Sequence, residues 1–416
     1  MRIAVIGSGV SGLVCAHLLQ GRHDVVLYEA DDRAGGHSHT HTVNLPDVTV
    51  SVDTGFLVYN ERTYPLFCRL LDRLDVATQS SDMSFSVSDA RTGIEWRGTS
   101  PATVFAQRRN LARPAFVRML VDIGRFKRIA RRLLEDPPPD RVTLKEVLAP
   151  HRWSAGFRDW YLLPLGSSIW SADPTTFTWI PAATFAHFFE RHGLLRLRDQ
   201  PQWRTITGGS QAYVQAILDP LVAEGRLRLG TPIDKIRRDT GGVEVVGPGG
   251  AESFDHVIVA THSDQALRML SDADRAERSI LGAIRYQPNR ATLHTDTGLK
   301  PRTRRAWASW NYQRLHAETD RAALTYHLNT LQSIPSTTPV LVTLNQDETV
   351  DPERVLARMD YAHPVLDPAA VSAQQRRAEI SGRRRTWFCG AYWGNGFHED
   401  GVRSAVETCR ELGITL

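Results

Sequence analysis

The sequence predicts an α/β protein of two domains, and three observations carry that reading. The apolar run Ile3 to Ile6 suits a buried parallel strand, and it turns through Gly7-Ser8-Gly9-Val10-Ser11-Gly12 into a helix reaching Gln20. A second strand, Val25 to Tyr28, closes on Glu29, seventeen residues beyond Gly12. From Arg290 to Leu344 the chain reads mostly as strands, which makes a separate mixed sheet.

The first two observations belong together. Gly7 permits a tight turn, Gly9 lets a pyrophosphate approach the backbone, and Gly12 lets the helix pack closely on the strand. Ser8 and Ser11 complete the loop. The free N–H groups of the helix's first turn point at an anion. The Glu29 carboxylate is placed to hold two ribose hydroxyls. The unit is Rossmann-like and its ligand is a dinucleotide.

Bulk properties narrow the classes. The chain has 416 residues, long enough for two domains, and its 42% hydrophobic and 23% charged residues are those of an ordinary globular protein. No apolar run reaches the length of a membrane span, and the N-terminus enters a strand directly, so a cytoplasmic address is expected. Cys15, Cys68, Cys389 and Cys409 form no C-x-x-C pair, which argues against a disulfide framework or a zinc site; Cys15 and Cys409 read as buried thiols. A net charge of +4 is too mild to imply nucleic acid. His37, His39 and His41 would share one face of an extended chain, but no carboxylate or cysteine joins them at ligand spacing, so no metal is expected. No Ser/His/Asp set or carboxylate pair suggests hydrolysis.

Beyond Tyr28 the chain reads Glu29-Ala30-Asp31-Asp32-Arg33-Ala34-Gly35-Gly36, and after a strand from Val48 to Val52 comes Asp53-Thr54-Gly55-Phe56. With the first glycine motif, these residues resemble the flavin amine oxidase superfamily, which includes phytoene-type desaturases and protoporphyrinogen oxidases. Asn60-Glu61-Arg62-Thr63-Tyr64 is more closely similar to a bacterial branch of FAD/NAD-binding oxidoreductases. The resemblance runs the length of the chain. It implies FAD, held in a Rossmann-like domain of the glutathione reductase type, with Ala30, Arg33, Gly35, Gly36, Gly55 and Phe56 among its contacts. Superfamily members commonly carry arginine after the glycine pair; here His37 stands there, close to the flavin. In relatives the residue at Ile233 meets the adenine through its backbone, and Thr261 ends a strand near the cofactor. Gly390, Ala391, Gly401 and Val402 belong to a strand–loop–helix block near residue 400. The resemblance places that helix's N-terminus, starting near Gly401, against the flavin pyrimidine, where its dipole favours negative charge. Arg403 is a candidate to add to it. The FAD-binding domain is expected over 1–62, 203–265 and 384–416, and the substrate domain over 63–202 and 266–383.

In the expected substrate domain, Tyr64 to Leu74 is an amphipathic helix, and Met83 to Val87 with Gly93 to Arg97 form two strands. Pro114 to Leu134 has the strongest helical pattern: Phe116, Met119, Leu120, Ile123, Phe126, Ala130 and Leu133 recur at three and four residues. Arg118, Arg125, Arg128 and Arg132 fill another face. From Pro101 to Asp136 there are nine basic and three acidic residues. That helix is either a solvated face of the domain or a peripheral contact with an anionic membrane, at its inner face. Trp160 to Phe189 is the aromatic centre, with Trp170, Phe177, Trp179, Phe185, Phe188 and Phe189; it suits a lipid-like pocket or a plain helical core. Ser263 is placed to cap a helix to Leu270. The strands Ala291–His294, Ala306–Trp310, Ala323–Leu328 and Val340–Leu344 would join the earlier pair in one sheet covering the flavin.

Three functions follow for an FAD-dependent oxidoreductase. The first is hydride removal from a hydrophobic substrate, desaturating or oxidising a methylated or unsaturated fatty acyl chain. It rests on the aromatic segment, the basic helix and the branch's association with fatty-acid modification. His37, Tyr59, His294 and His398 are its candidate proton acceptors, and Trp170 the residue nearest the cavity. The second is amine oxidation producing hydrogen peroxide; many amine oxidases carry a lysine facing the flavin, but Arg290 to Thr295 has none and Lys300 falls in a turn. The third is flavin-dependent isomerisation of a double bond. Oligomeric state is not legible.

Overall fold

The computed structural model describes residues 1–174, 176–196, 199–316 and 321–416. Its first sheet has five parallel strands in the order β10 (Leu227–Arg228), β2 (Asp24–Tyr28), β1 (Arg2–Ile6), β14 (His256–Val259) and β20 (Thr386–Phe388). The central strand β1 is covered on both faces, which is why its sequence is apolar without alternation. Ile3, Val5 and Leu27 enter one core with the Val10–Leu19 helix. Ala4, Ile6, Val26 and Tyr28 enter another, with an antiparallel meander of β11 (Lys235–Arg238), β12 (Val243–Gly247) and β13 (Gly250–Phe254). The Val10–Leu19 helix is apolar nearly all round because the final helix, His398–Glu411, packs on its far side.

The largest sheet is mixed, with seven strands in the order β19 (Val355–Pro364), β15 (Tyr286–His294), β18 (Leu341–Leu344), β17 (Leu324–His327), β16 (Trp310–Arg314), β7 (Phe85–Asp89) and β8 (Ile94–Arg97). The early hairpin joins the late strands through one parallel pairing, β16 on β7. Helices Pro114–Glu135, Leu163–Trp170 and Ala182–Arg191 share the core of this sheet, with Phe116, Phe126, Trp160, Phe185 and Phe189 buried in it. A hairpin of β3 (Thr40–Asn44) and β4 (Thr49–Asp53) is tied to the mixed sheet's side of the molecule: Asp53 N–H donates to Gln332 Oε1 at 3.0 Å, and Gln332 Nε2 donates to Asp53 O at 3.2 Å.

Several expected elements are displaced. The residues Ala306–Trp310 are not a strand: Arg304–Ala306 is a short 3-10 turn and β16 starts only at Trp310, because Asn311 Oδ1 accepts the Ala308 N–H and holds a turn there. β15 begins five residues before the expected Ala291. Ser263 does not cap its helix but is its first residue; its N–H donates to Tyr286 Oη at 2.9 Å, and His262 N–H donates to Gln265 Oε1 at 3.2 Å. The final helix starts at His398, not near Gly401. Trp179 is 51% exposed and lies outside the aromatic core.

Candidate functional site

The nucleotide end is built from glycines with separate duties. Gly7 has φ +98° and donates its N–H to Tyr28 O at 2.8 Å, closing the β1 turn onto β2. A Cβ on Gly12 would lie 1.8 Å from Gly7 O, so this position is closed by the backbone itself. A Cβ on Gly9 would meet nothing within 4 Å, so Gly9 faces open space. Gly36, at φ +56°, passes so near that its Cβ would lie 3.1 Å from Gly9 Cα. Ser8 donates its N–H to Glu29 Oε2 at 2.9 Å and its hydroxyl to the same oxygen at 2.5 Å, while Glu29 Oε1 accepts the Asp31 N–H at 3.1 Å and keeps a second lone pair for a ligand hydroxyl. Thr231 N–H donates to Glu29 O at 2.8 Å, which draws the segment carrying Ile233 beside Glu29 and Ala30. Thr261 sits behind the Gly7 turn, its Cγ2 3.1 Å from where a Gly7 Cβ would be.

These residues fit FAD by their own chemistry. Arg33 Nη2 donates to Gly36 O at 2.8 Å, whereas Arg33 Nη1 is buried without a protein partner. A buried guanidinium N–H beside an open glycine and a helix N-terminus is a donor set for pyrophosphate oxygens.

Two helix N-termini converge here. A Cβ on Gly401 would lie 2.7 Å from Val10 Cγ1 and 3.0 Å from Ser11 Oγ, and Ser11 Oγ donates to Gly401 O at 3.1 Å. Gly390 N–H donates to Ser404 Oγ at 3.0 Å, placing Ala391 against the first turn of the final helix, with Val402 fully buried behind it. Arg403 does not add to this positive end. It pairs with Asp400 at 3.1 Å and approaches Glu399 at 4.0 Å. Glu399 accepts the N–H groups of Leu66 at 3.1 Å and Phe67 at 3.0 Å, capping the Pro65–Arg73 helix.

The Gly36–His39 segment runs beside Thr54–Phe56. His37 O accepts the Phe56 N–H at 2.8 Å, and a Cβ on Gly55 would lie 2.3 Å from His37 O. Phe56 stacks on His398 at 3.6 Å between centroids, and His398 Nε2 lies 3.0 Å from Ser38 Oγ. The His37 ring stacks on Tyr361 at 4.8 Å and meets His363 edge-on at 5.2 Å. The His39 and His41 rings lie 4.0 Å apart at a tilt of 32°, and Tyr361, stacked on His37, meets His39 Nδ1 through its hydroxyl at 3.2 Å.

The state of His363 follows from its neighbours. Asn345 Nδ2 donates to Ala322 O at 3.1 Å and to Asn289 Oδ1 at 2.8 Å. That leaves Asn289 Nδ2 to donate to His363 Nδ1 at 2.9 Å. His363 Nδ1 is thus an acceptor, and its proton sits on Nε2. Burial holds the His363 ring down to about 4, and burial with the neighbouring His363, His262, His398 and Arg33 holds His37 well below the usual histidine range. His37 Nε2 has no protein partner. Both rings are neutral at ordinary pH.

Trp170 is buried with its Nε1 unpartnered, 4.7 Å from the Phe188 ring, which stacks in turn on Phe397 at 5.1 Å. Asp173 N–H donates to Gln287 Oε1 at 3.1 Å, linking this wall to the start of β15. Tyr59 instead lies in the apolar cluster of Phe56, Tyr64 and Phe67. His294 is fully buried at the opposite end of β15 from Tyr286, about 26 Å along the strand. Its Nε2 meets Thr343 Oγ1 at 2.7 Å and its Nδ1 accepts the Asp296 N–H at 3.1 Å, so it has no free nitrogen. Lys300 stands at that same far end, its Nζ 3.4 Å from the centroid of Trp307, near His327. His37, Tyr361, His363 and Asn289 thus form one chain of contacts, Trp170 reaches the start of the final helix through Phe188 and Phe397, Tyr59 reaches His398 through Phe56, and His294 lies apart.

A parallel sheet with an open glycine turn, an acid closing its second strand and a second helix N-terminus over the crossing define an FAD-binding oxidoreductase. Comparison with known proteins makes this particular. The chain belongs to the flavin containing amine oxidoreductase family, which matches residues 10–305. It is 28% identical over 275 residues to AofH of Mycobacterium tuberculosis, assigned as a flavin-containing monoamine oxidase; the match covers 62% of this chain and 56% of AofH, so the chain spans about half the length of the curated relatives it matches. Among solved structures it shares its fold with cyclohexylamine oxidase from Brevibacterium oxydans, at TM-score 0.70, 17% identity and 99% of each chain. It equally shares it with a fatty acid isomerase from P. acnes that produces CLA, at TM-score 0.70, 17% identity and 98% of each chain. FAD is the cofactor of this family.

Proposed function

We propose that the protein removes a hydride from an apolar, acyl-chain-like substrate, desaturating or oxidising it. The observation that carries this reading is the run of rings in contact from Phe397, next to the start of the final helix, through Phe188 to Trp170. The carboxylates next to it in sequence, Glu399 and Asp400, are turned to backbone N–H groups and Arg403, so neither is free to receive an ammonium. Lys300, the lysine that an amine-oxidase reading would look for, is held over Trp307 at the far end of the mixed sheet. The two fold neighbours, one named for an amine and one for a fatty acid, do not choose between these chemistries.

FAD, when bound, supplies the hydride acceptor. The remaining work falls to the chain. The Phe188 and Trp170 rings exclude water and align an alkyl chain. His363 presents Nε2–H as a fixed donor to a polar end of the substrate, and His37 Nε2 is the unfilled acceptor for a proton.

The test is anaerobic mixing of the FAD-loaded protein with methylated or unsaturated acyl lipids, following the flavin absorption. Stable bleaching by lipid, with amines inert, is the expected outcome. Bleaching by simple amines with lipids inert overturns the reading in favour of amine oxidation. Double-bond movement in recovered lipid without net bleaching assigns isomerisation instead.

A further inference from the structure

We propose that the solvent face of the Pro114–Glu135 helix, with the turn before it, is a docking surface for an anionic lipid bilayer. This goes beyond the substrate reading and does not depend on it.

The core side of the helix is Phe116, Met119, Phe126 and Ala130, all buried. The opposite side is not simply polar. Val117 and Val121 are 42% and 59% exposed, and Leu111, in the Arg108–Ala112 turn just upstream, is 60% exposed. With Ala112, Pro114 and Arg118 they line a shallow open groove of about 440 Å³. Isolated exposed apolar residues are ordinary; three gathered on one patch are not.

Charge selects the occupant. The side chains of Arg108, Arg113, Arg128 and Arg132 make no hydrogen bond or ion pair among the described residues, and that of Arg118 meets only Asp122, at 3.4 Å. Arg125, by contrast, is committed to the protein: it donates to Arg152 O at 3.2 Å and lies over Trp153. Of the three acids between Pro101 and Asp136, Asp122 is buried, and Glu135 and Asp136 stand at the helix's far end, about 20 Å from Val121. An apolar crown ringed by unpaired arginine side chains, with no exposed acid of its own segment beside it, is complementary to lipid phosphates over an acyl layer. Among the described residues no helix is long and apolar enough to cross a membrane, so the contact is peripheral. Phe126, on the reverse side, packs against Phe157, Phe185 and Phe189, so docking here sets the aromatic core directly above the bilayer.

The experiment is flotation of the full FAD-loaded chain with phosphatidylethanolamine vesicles made with or without phosphatidylglycerol. The parent should float with the phosphatidylglycerol vesicles and be released by high salt. Val117→Ser with Val121→Ser, and separately Arg108→Gln with Arg113→Gln and Arg128→Gln, should each lower the bound fraction about tenfold. Flavin absorbance and thermal midpoint should stay at the parent's values. Leu356→Ser, on β19 away from this face, should float as the parent does. Failure of the parent to float, equal flotation with uncharged vesicles, or variants that bind like the parent would each overturn the proposal. So would self-association abolished by Val121→Ser without flotation, which assigns the face to a second copy.

Discussion

Gly9 and Gly12 stand three residues apart in one motif and answer to different neighbours. A methyl on Gly12 runs into Gly7 O, whereas a methyl on Gly9 enters the space left for a ligand. Gly12→Ala should therefore lower the thermal midpoint of the FAD-free protein, at a cost of about 2–3 kcal/mol. Gly9→Ala should leave that midpoint within experimental error and weaken FAD binding at least about tenfold in a fluorescence titration. Asn289 offers a second test. Asn289→Asp puts a carboxylate beside a ring that burial holds to about 4, and an adjacent negative charge raises a histidine's affinity for a proton. The bound flavin spectrum should then acquire a titration toward neutral pH that the parent lacks; an unchanged pH dependence would separate His363 from the cofactor. The glycines were legible from sequence because their geometry is local. Tyr361 and His363 were not, because their partner His37 lies more than 300 residues away and nothing near either residue announces the meeting.

At the scale of elements, one helix is finished by another. The Pro65–Arg73 helix has no side-chain cap of its own, and the carboxylate of Glu399 accepts two of its first N–H groups. Glu399→Ala should cost about 1–2 kcal/mol, read as a lower denaturant midpoint, and Glu399→Gln should recover part of it. Periodicity located most helices and the parallel strands, because buried faces dictate those patterns. It missed β19, where Arg358, Asp360 and His363 interrupt the apolar residues: an edge strand needs only one neighbour and little hydrophobic cover. The long helix was plain in the sequence, but not its second apolar patch. Spacing shows which residues share a face, and only packing shows that Phe116 and Phe126 are covered while Val117 and Val121 are not.

Across the whole molecule, buried neutral histidines set the response to acid. Burial lowers His192, His294, His327 and His363 to about 4, and His39 and His398 to about 3, from 6.5. The folded values lie below the unfolded one, so their stabilising contribution is complete above pH 6.5 and is lost as pH falls toward 4 and 3. At pH 5 each ring forgoes a proton the unfolded chain accepts, at most about 2 kcal/mol apiece. Asp53 works the other way: burial raises it to about 6, so the folded state gains its proton first as pH falls below that value. The histidines outnumber it. The thermal midpoint should fall steadily from pH 7 to pH 5, with release of FAD, and a flat profile would contradict the burial of these rings. The two-sheet architecture was legible because each sheet carries its own pattern; how the sheets meet was not, since the strands and loops that join them come from opposite ends of the chain.

The final helix has a consequence for the birth of the protein. The glycine turn leaves the ribosome well before β20 at the sheet's edge and before the helix that packs on Val10–Leu19. At about 5–20 residues per second, some 390 residues of translation separate them, roughly 20–80 s. For that time the apolar flank that will meet Val402 and Ala405 has no partner of its own chain, and the nucleotide site has no second wall. The nucleotide site therefore becomes complete only once the His398–Glu411 helix has emerged and packed on Val10–Leu19.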